Sequence, residues 1–211
     1  MARDAQAQLG FDGLLANAET ENRARIVARE TAHLPGTLHV GVPAFAQMME
    51  PHHAAMLAAD VEETMRRRKD AQRMAVKINK GRLGILAGDD ASGCVLARET
   101  AAAPGTLLLW GQKGWFEIAV SGCPVRIEME GIFGIGSAFG YWPGFSAHVV
   151  DQDRPFISET GYRRFLGIGG DPVPGLIPET FATAVNERYV ATDLKGKLRN
   201  ICRSLSRDDT E

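Results

Sequence analysis

The sequence predicts a single α+β domain in which an antiparallel sheet packs against a long amphipathic helix and C-terminal helices. Three observations carry that expectation. Phe116, Ile118 and Val120 alternate with polar or small residues, Ser121-Gly122 supplies a tight turn, and Val125, Ile127 and Met129 alternate with Arg126, Glu128 and Glu130. This period of two marks a hairpin over 115–130 with one face in the core and the other toward solvent or a partner. From Pro51 to Lys80, Leu57, Val61, Met65, Ala71, Ala75 and Ile78 gather on one side of a helix, with Arg66, Lys69, Arg73, Lys77 and Lys80 on the other. Finally, 211 residues of 45% hydrophobic and 24% charged composition suffice for one sizeable core.

Taken in order, residues 1–16 show little periodicity and are expected to be a flexible segment ahead of a domain at 17–211. A helix follows over Thr20–Ala32, stopped by Leu34-Pro35-Gly36, and a short strand over Thr37–Val40. The segment Ala28-Arg-Glu-Thr-Ala-His-Leu-Pro-Gly-Thr-Leu38 recurs as Ala97-Arg-Glu-Thr-Ala-Ala-Ala-Pro-Gly-Thr-Leu107, which reads as one helix-turn-strand unit used twice. Pro51 suits a first helical position and Gly81 a helix end, so 51–80 is expected to be one continuous helix. Arg68 and Gln72 fall on its apolar side, which predicts a buried polar contact there or a bend.

Leu83–Leu86 reads as a short strand and Ser92–Ala102 as the helix of the second repeat copy. Beyond the hairpin, the glycine- and aromatic-rich link Gly131–Gly144 is expected to join two strands, the second being 145–150, the third strand of the sheet. A short helix over Glu159–Leu166, capped by Ser158 and ended by Gly167, is expected next. After a Pro/Gly loop over Gly169–Pro178, helices at Glu179–Thr192 and Leu194–Leu205 complete the chain.

The net charge of −2 is neither the basic excess of a dedicated nucleic-acid binder nor the acidic excess of a DNA mimic, so any electrostatic role is local. The three cysteines are widely spaced without a C-x-x-C pair, and no apolar run is long enough to span a bilayer. A cytoplasmic protein with reduced thiols, no membrane partner and no cofactor is expected.

The strongest local charge lies between Arg66 and Arg82, where basic residues face Asp70 as the lone acid; such a face fits a phosphate backbone or an acidic protein surface. Asp60, Glu62 and Glu63 lie one turn upstream and are able to pair with it. Trp142, in the aromatic link Phe133–Trp142, is a candidate binding residue or oligomer contact. That link has neither the spacing of a dinucleotide fingerprint nor a phosphate-loop ending. A second cluster, His148, Asp151, Asp153 and Arg154, offers the imidazole and carboxylates that a metal or a general acid–base pair needs. Ser158, Glu159, Tyr162, Arg163 and Arg164 follow closely enough to clamp an anion beside it. Polar strand ends and simple turns account for the same residues. His52 and His53 are adjacent, point apart on a helix, and do not form a metal pair.

The strings Ala103-Pro-Gly-Thr-Leu-Leu-Leu-Trp-Gly111 and Asp153-Arg-Pro-Phe-Ile-Ser-Glu-Thr-Gly-Tyr-Arg-Arg-Phe-Leu-Gly167 resemble an uncharacterised family encoded on plasmids and integrative elements of alphaproteobacteria. The resemblance covers about the C-terminal two-thirds of the chain and implies a setting of DNA maintenance, transfer or evasion of host defence. The leading expectation is therefore a non-enzymatic binding protein that presents Arg66, Lys69, Arg73, Lys77 and Lys80, with Trp142, to nucleic acid or an acidic protein surface. The alternatives are a metal-assisted hydrolase or phosphoryl-transfer enzyme centred on His148, Asp151, Asp153 and Arg154, and a structural oligomer subunit.

Overall fold

The computed structural model describes residues 18, 19, 21, 22, 25–82, 85–104 and 106–202. The expected flexible segment at 1–16 lies outside them. Residues 25–30 are helical. The elements that follow are α1 (Leu38–Leu57), α2 (Val61–Ile78), α3 (Ser92–Glu99), β1 (Lys113–Val120), β2 (Cys123–Glu130), α4 (Ile135–Phe139), β3 (Phe145–Val149), β4 (Tyr162–Phe165) and α5 (Pro178–Thr192). The fold is α+β, with one antiparallel sheet in the order β1-β2-β3-β4.

The hairpin forms as its alternation dictates. Ser121 and Gly122 both take positive φ, as a two-residue turn matched to strand twist requires. Val120, Val125, Ile127 and Met129 are buried. Register places Phe116, Ile127 and Ala147 in one row, so the inner face is continuous across three strands. α5 lies on that face: Phe181 meets Phe145, and Tyr189 meets Phe165 edge-on. Trp142 stacks on Phe181 at 4.9 Å and Trp110 packs against the same ring at 5.3 Å. A second apolar cluster joins α1, α2 and α3 through Phe45, Met49, Ala71, Met74, Ala75 and Leu96. α1 belongs to both clusters, since Met56, near its end, enters the sheet-side core.

Several expectations are corrected. The continuous helix over 51–80 is two helices: α1 ends at Leu57, Ala59 takes φ +56°, and Asp60 caps α2 by accepting a hydrogen bond from Glu63 N at 3.0 Å. Asp60 followed by Glu63 is a helix-start signal hidden within a longer apolar periodicity. Pro51 does not open a helix; it lies inside α1 with Pro43, in a helix that buries Phe45, Met49, His52, Ala55 and Met56. Thr37–Val40 is not a strand, because extended Thr37 is the residue from which α1 starts. Glu159–Leu166 is a turn followed by β4: Gly161 takes φ +72°, which ends any helix there, and 162–165 pair with β3. Leu194–Leu205 is not a helix over its described part. Lys195 and Gly196 turn the chain at positive φ, and Arg199 and Phe156 exchange backbone hydrogen bonds of 2.8 Å. Of the proposed strand Leu83–Leu86, Leu83 lies outside the described residues, and 85–86 are in a turn.

The link Gly131–Gly144 also departs from expectation by containing α4. Its glycines permit close backbone packing, for a Cβ on Gly136 would sit 2.1 Å from Gly144 N. The repeated segments share their helix end but not their exit. Thr31 and Thr100, at matching positions, each donate a hydroxyl hydrogen bond of 2.8 Å to the carbonyl four residues back. Beyond Pro-Gly, the first copy enters α1, whereas the second continues into an irregular segment. β4 is an edge strand of four residues. The Thr160 hydroxyl accepts from Tyr162 N at 3.4 Å and donates to Tyr162 O at 3.0 Å.

Candidate functional site

Strand alternation determines what the sheet turns away from its core. The row Trp115, Glu128, Ser146, Arg164 lies beside the row Glu117, Arg126, His148, Tyr162, with Lys113 opposite Glu130 at one end. This face is open: Trp115 is 43% and Tyr162 42% exposed, and Glu117, Arg126 and Glu128 are also exposed. The Arg126 guanidinium lies 4.6 Å from the Trp115 ring centroid and 3.8 Å from Glu117. His148 Nε2 is 3.2 Å from Glu128 Oε2, and its ring meets Tyr162 edge-on at 5.1 Å. Arg164 contacts Glu130 at 2.5 Å, and the Tyr162 and Ser146 hydroxyls are 3.2 Å apart. Lys113, Arg126 and Arg164 therefore match Glu117, Glu128 and Glu130 in charge. Large amphipathic rings and guanidinium groups held in place by neighbours are what a protein-binding surface uses, because little freedom is lost on contact.

The basic helix face is differently disposed. Arg66 bonds Glu63 at 2.7 Å and Asp70 at 3.0 Å, and this pairing holds the Glu63 carboxyl down at about 2. Arg67 pairs with Glu63, Arg73 with Glu30, and Lys77 donates to the carbonyls of Thr31 and Leu34. Lys69 and Lys80 are exposed. Of the expected stripe, Arg66 and Arg73 are thus paired with carboxylates of the chain, Lys77 is tied to carbonyls that leave its charge in place, and Lys69 and Lys80 stay open. Trp142 is 4% exposed and its indole donates to Gly170 O, so it is a core residue and not a docking one. Phe133 is likewise packed internally, against Phe45.

Of the proposed catalytic cluster, only His148 belongs to the sheet face. Asp151 accepts from Asp153 N and Arg154 N bonds Asp151 O, so these residues shape an exposed turn. Among the described residues no group of three His, Cys, Asp or Glu side chains is arranged to hold a metal. The residues suggested as an anion clamp divide between the two sides of the sheet. Tyr162 and Arg164 face outward, whereas Ser158, Glu159 and Arg163 line a cleft with Tyr189 and Arg199.

The most perturbed histidine is elsewhere. His52 is fully buried in α1, with Nδ1 2.9 Å from Trp110 O and Nε2 accepting from Arg68 Nε at 3.2 Å. Nδ1 must then carry the proton, and burial beside the Arg68 cation lowers its pKa from 6.5 to about 4. Arg68 also donates to Gly140 O at 2.8 Å and Tyr141 O at 2.7 Å; burial lowers it to about 10, so it stays charged at neutral pH. Both His52 nitrogens are engaged, which makes this network a brace between α1, α2 and the 140–142 loop. It is the buried polar contact that Arg68 on an apolar helix side implied.

Trp115 and Tyr189 were missed from sequence. Trp115 was detectable, since it shares the outward phase of β1 with Lys113 and Glu117. Tyr189 and Arg199 reach their places through tertiary contacts that no local pattern records.

No helix among the described residues is long and apolar enough to cross a membrane. No family model matches the chain, and no solved structure matches it either. It is 48% identical over 88 residues to a protein KlcB of Escherichia coli, a match covering 41% of this chain and 21% of that protein. With another Escherichia coli KlcB it is 37% identical over 150 residues, 69% of this chain and 31% of the relative. The chain spans less than a third of the length of the curated relatives it matches, and its resemblances are not confined to alphaproteobacteria. Over 69% of its length, then, this chain is similar to part of a larger Escherichia coli protein KlcB.

Proposed function

We propose that the chain is a binding module of mobile-element biology that docks a protein partner on its open sheet face. The observation that carries this reading is Trp115, 43% exposed on the polar side of a strand with Arg126 stacked over its ring. A large aromatic side chain left in water in that setting gains most when a partner covers it. The matched charges around it favour a protein surface of mixed charge over a phosphate backbone, which calls for a cationic excess. The mobile-element setting is supported by the resemblance to plasmid and integrative-element proteins and by the KlcB similarity. The helix-face reading, with nucleic acid as partner, rests on Lys69, Lys77, Lys80 and Arg82, since Arg66 and Arg73 are already paired with carboxylates.

Affinity capture from the native host, with and without nuclease, followed by rebinding of the purified partner, tests the proposal. One protein should be retained after nuclease treatment, and Trp115→Ala with Tyr162→Ala should weaken its rebinding at least about tenfold, the equivalent of about 1.4 kcal/mol. Loss of capture on nuclease treatment, or on reversing Lys69 and Lys80 while the double variant still binds, would overturn it in favour of the helix face.

A further inference from the structure

We propose that the cleft between residues 157–163, α5 and Arg199 is a binding site for a carboxylate borne on a small apolar group. It is independent of the outer sheet face and lies on the other side of β4 from Tyr162 and Arg164. Its volume is about 260 Å³, below the usual range for a nucleotide or drug-sized ligand and suited to a side chain or a short acid. Ile157 is 1% exposed, and with the Tyr189 ring it provides the apolar part of the wall.

Two arginines reach the cleft, and they differ in how they are engaged. Arg199 Nη1 donates to Glu159 Oε1 at 2.8 Å. Arg163 lies against two aromatic faces, its guanidinium carbon 4.6 Å from the Tyr189 centroid and 5.8 Å from that of Phe165. Among the described residues no carboxylate or carbonyl takes a hydrogen bond from it. A guanidinium held by ring stacking keeps its N–H edge available for a planar, bidentate oxyanion. Ser158 and Thr160 also line the cleft, with their hydroxyls bonded to each other at 2.9 Å.

Charge decides the class of anion. Arg163 and Arg199 against Glu159 leave one net positive charge, which matches a monocarboxylate and underserves a phosphate dianion. The backbone of the walls is tied together: Arg199 exchanges two bonds with Phe156, and Cys202 N bonds Glu159 O at 2.8 Å. A free short-chain acid and the C-terminal residue of a peptide share this chemistry.

The test is an amide-resolved NMR titration of the full chain with butyrate, N-acetyl-leucine and inorganic phosphate. Saturable shifts centred on residues 157–163, 189 and 199 are expected with the carboxylates. Arg163→Met should weaken them about tenfold, and Glu159→Gln should tighten them by removing the competing carboxylate. Tighter binding of N-acetyl-leucine assigns the site to a peptide end, and tighter binding of butyrate to a free acid. Shifts that do not saturate, phosphate binding as tight as carboxylate, or an unchanged affinity in Arg163→Met would overturn the proposal. If that variant fails to fold, Arg199→Met, whose backbone bridge is untouched, gives the same readout.

Discussion

His52 illustrates how a single ring constrains a fold. Its neutral form accepts from Arg68 and donates to Trp110 O; a second proton would cost the Arg68 bond and set two cations side by side. Its folded pKa of about 4 lies below the ordinary 6.5, so between those values the unfolded chain binds a proton that the native one refuses. Stability therefore falls as pH drops through that window, by about 2 kcal/mol from neutral pH to about pH 4.5. Urea titrations at the two pH values should show that loss in the native chain, and a smaller one in His52→Gln once the variant's lower starting stability is subtracted. An equal pH dependence in both would remove His52 as the cause and point to His53, whose partial burial also lowers its pKa. Arg68 was readable as an anomaly because it interrupts an apolar stripe, but its partners in 140–141 are distant in sequence and left no local trace.

Among the elements, the division between α1 and α2 matters most. Asp60 caps α2, and its replacement by Ala should destabilise the chain by about 1 kcal/mol in chemical denaturation, with the sheet's spectral signature unchanged. A continuous helix would show almost no effect from the same change. Period and composition made the hairpin, β3 and α5 legible, because each has a clear alternation or clean punctuation. They misled over 51–80 because Leu57, Val61 and Met65 recur at helical spacing across Ala58-Ala59-Asp60, yet Val61 and Met65 are exposed and α2 buries Thr64, Arg68, Ala71 and Met74 instead. They misled over Glu159–Leu166 because a serine before and a glycine after imitate helix caps. There the deciding facts are Gly161's positive φ and the pairing with β3, which satisfies the backbone of 162–165 from outside the segment.

At the scale of the whole molecule, the aromatic trio of Trp110, Trp142 and Phe181 ties the link between β2 and β3 to α5. Trp142→Ala should lower unfolding stability by about 3–5 kcal/mol, the cost of emptying a large aromatic site, and any loss of partner binding should follow the unfolded fraction. Trp115→Ala should do the converse, sparing stability while weakening capture. The sequence marked Trp142 as the aromatic to watch because it stands among glycines, and passed over Trp115 because it stands within a regular strand. Burial reverses that ranking, and burial depends on which layer covers which face. The Thr160 hydroxyl, clasped to both backbone groups of Tyr162, hems the sheet at its last strand. A visiting chain would have to undo that clasp before it could extend the sheet from Tyr162.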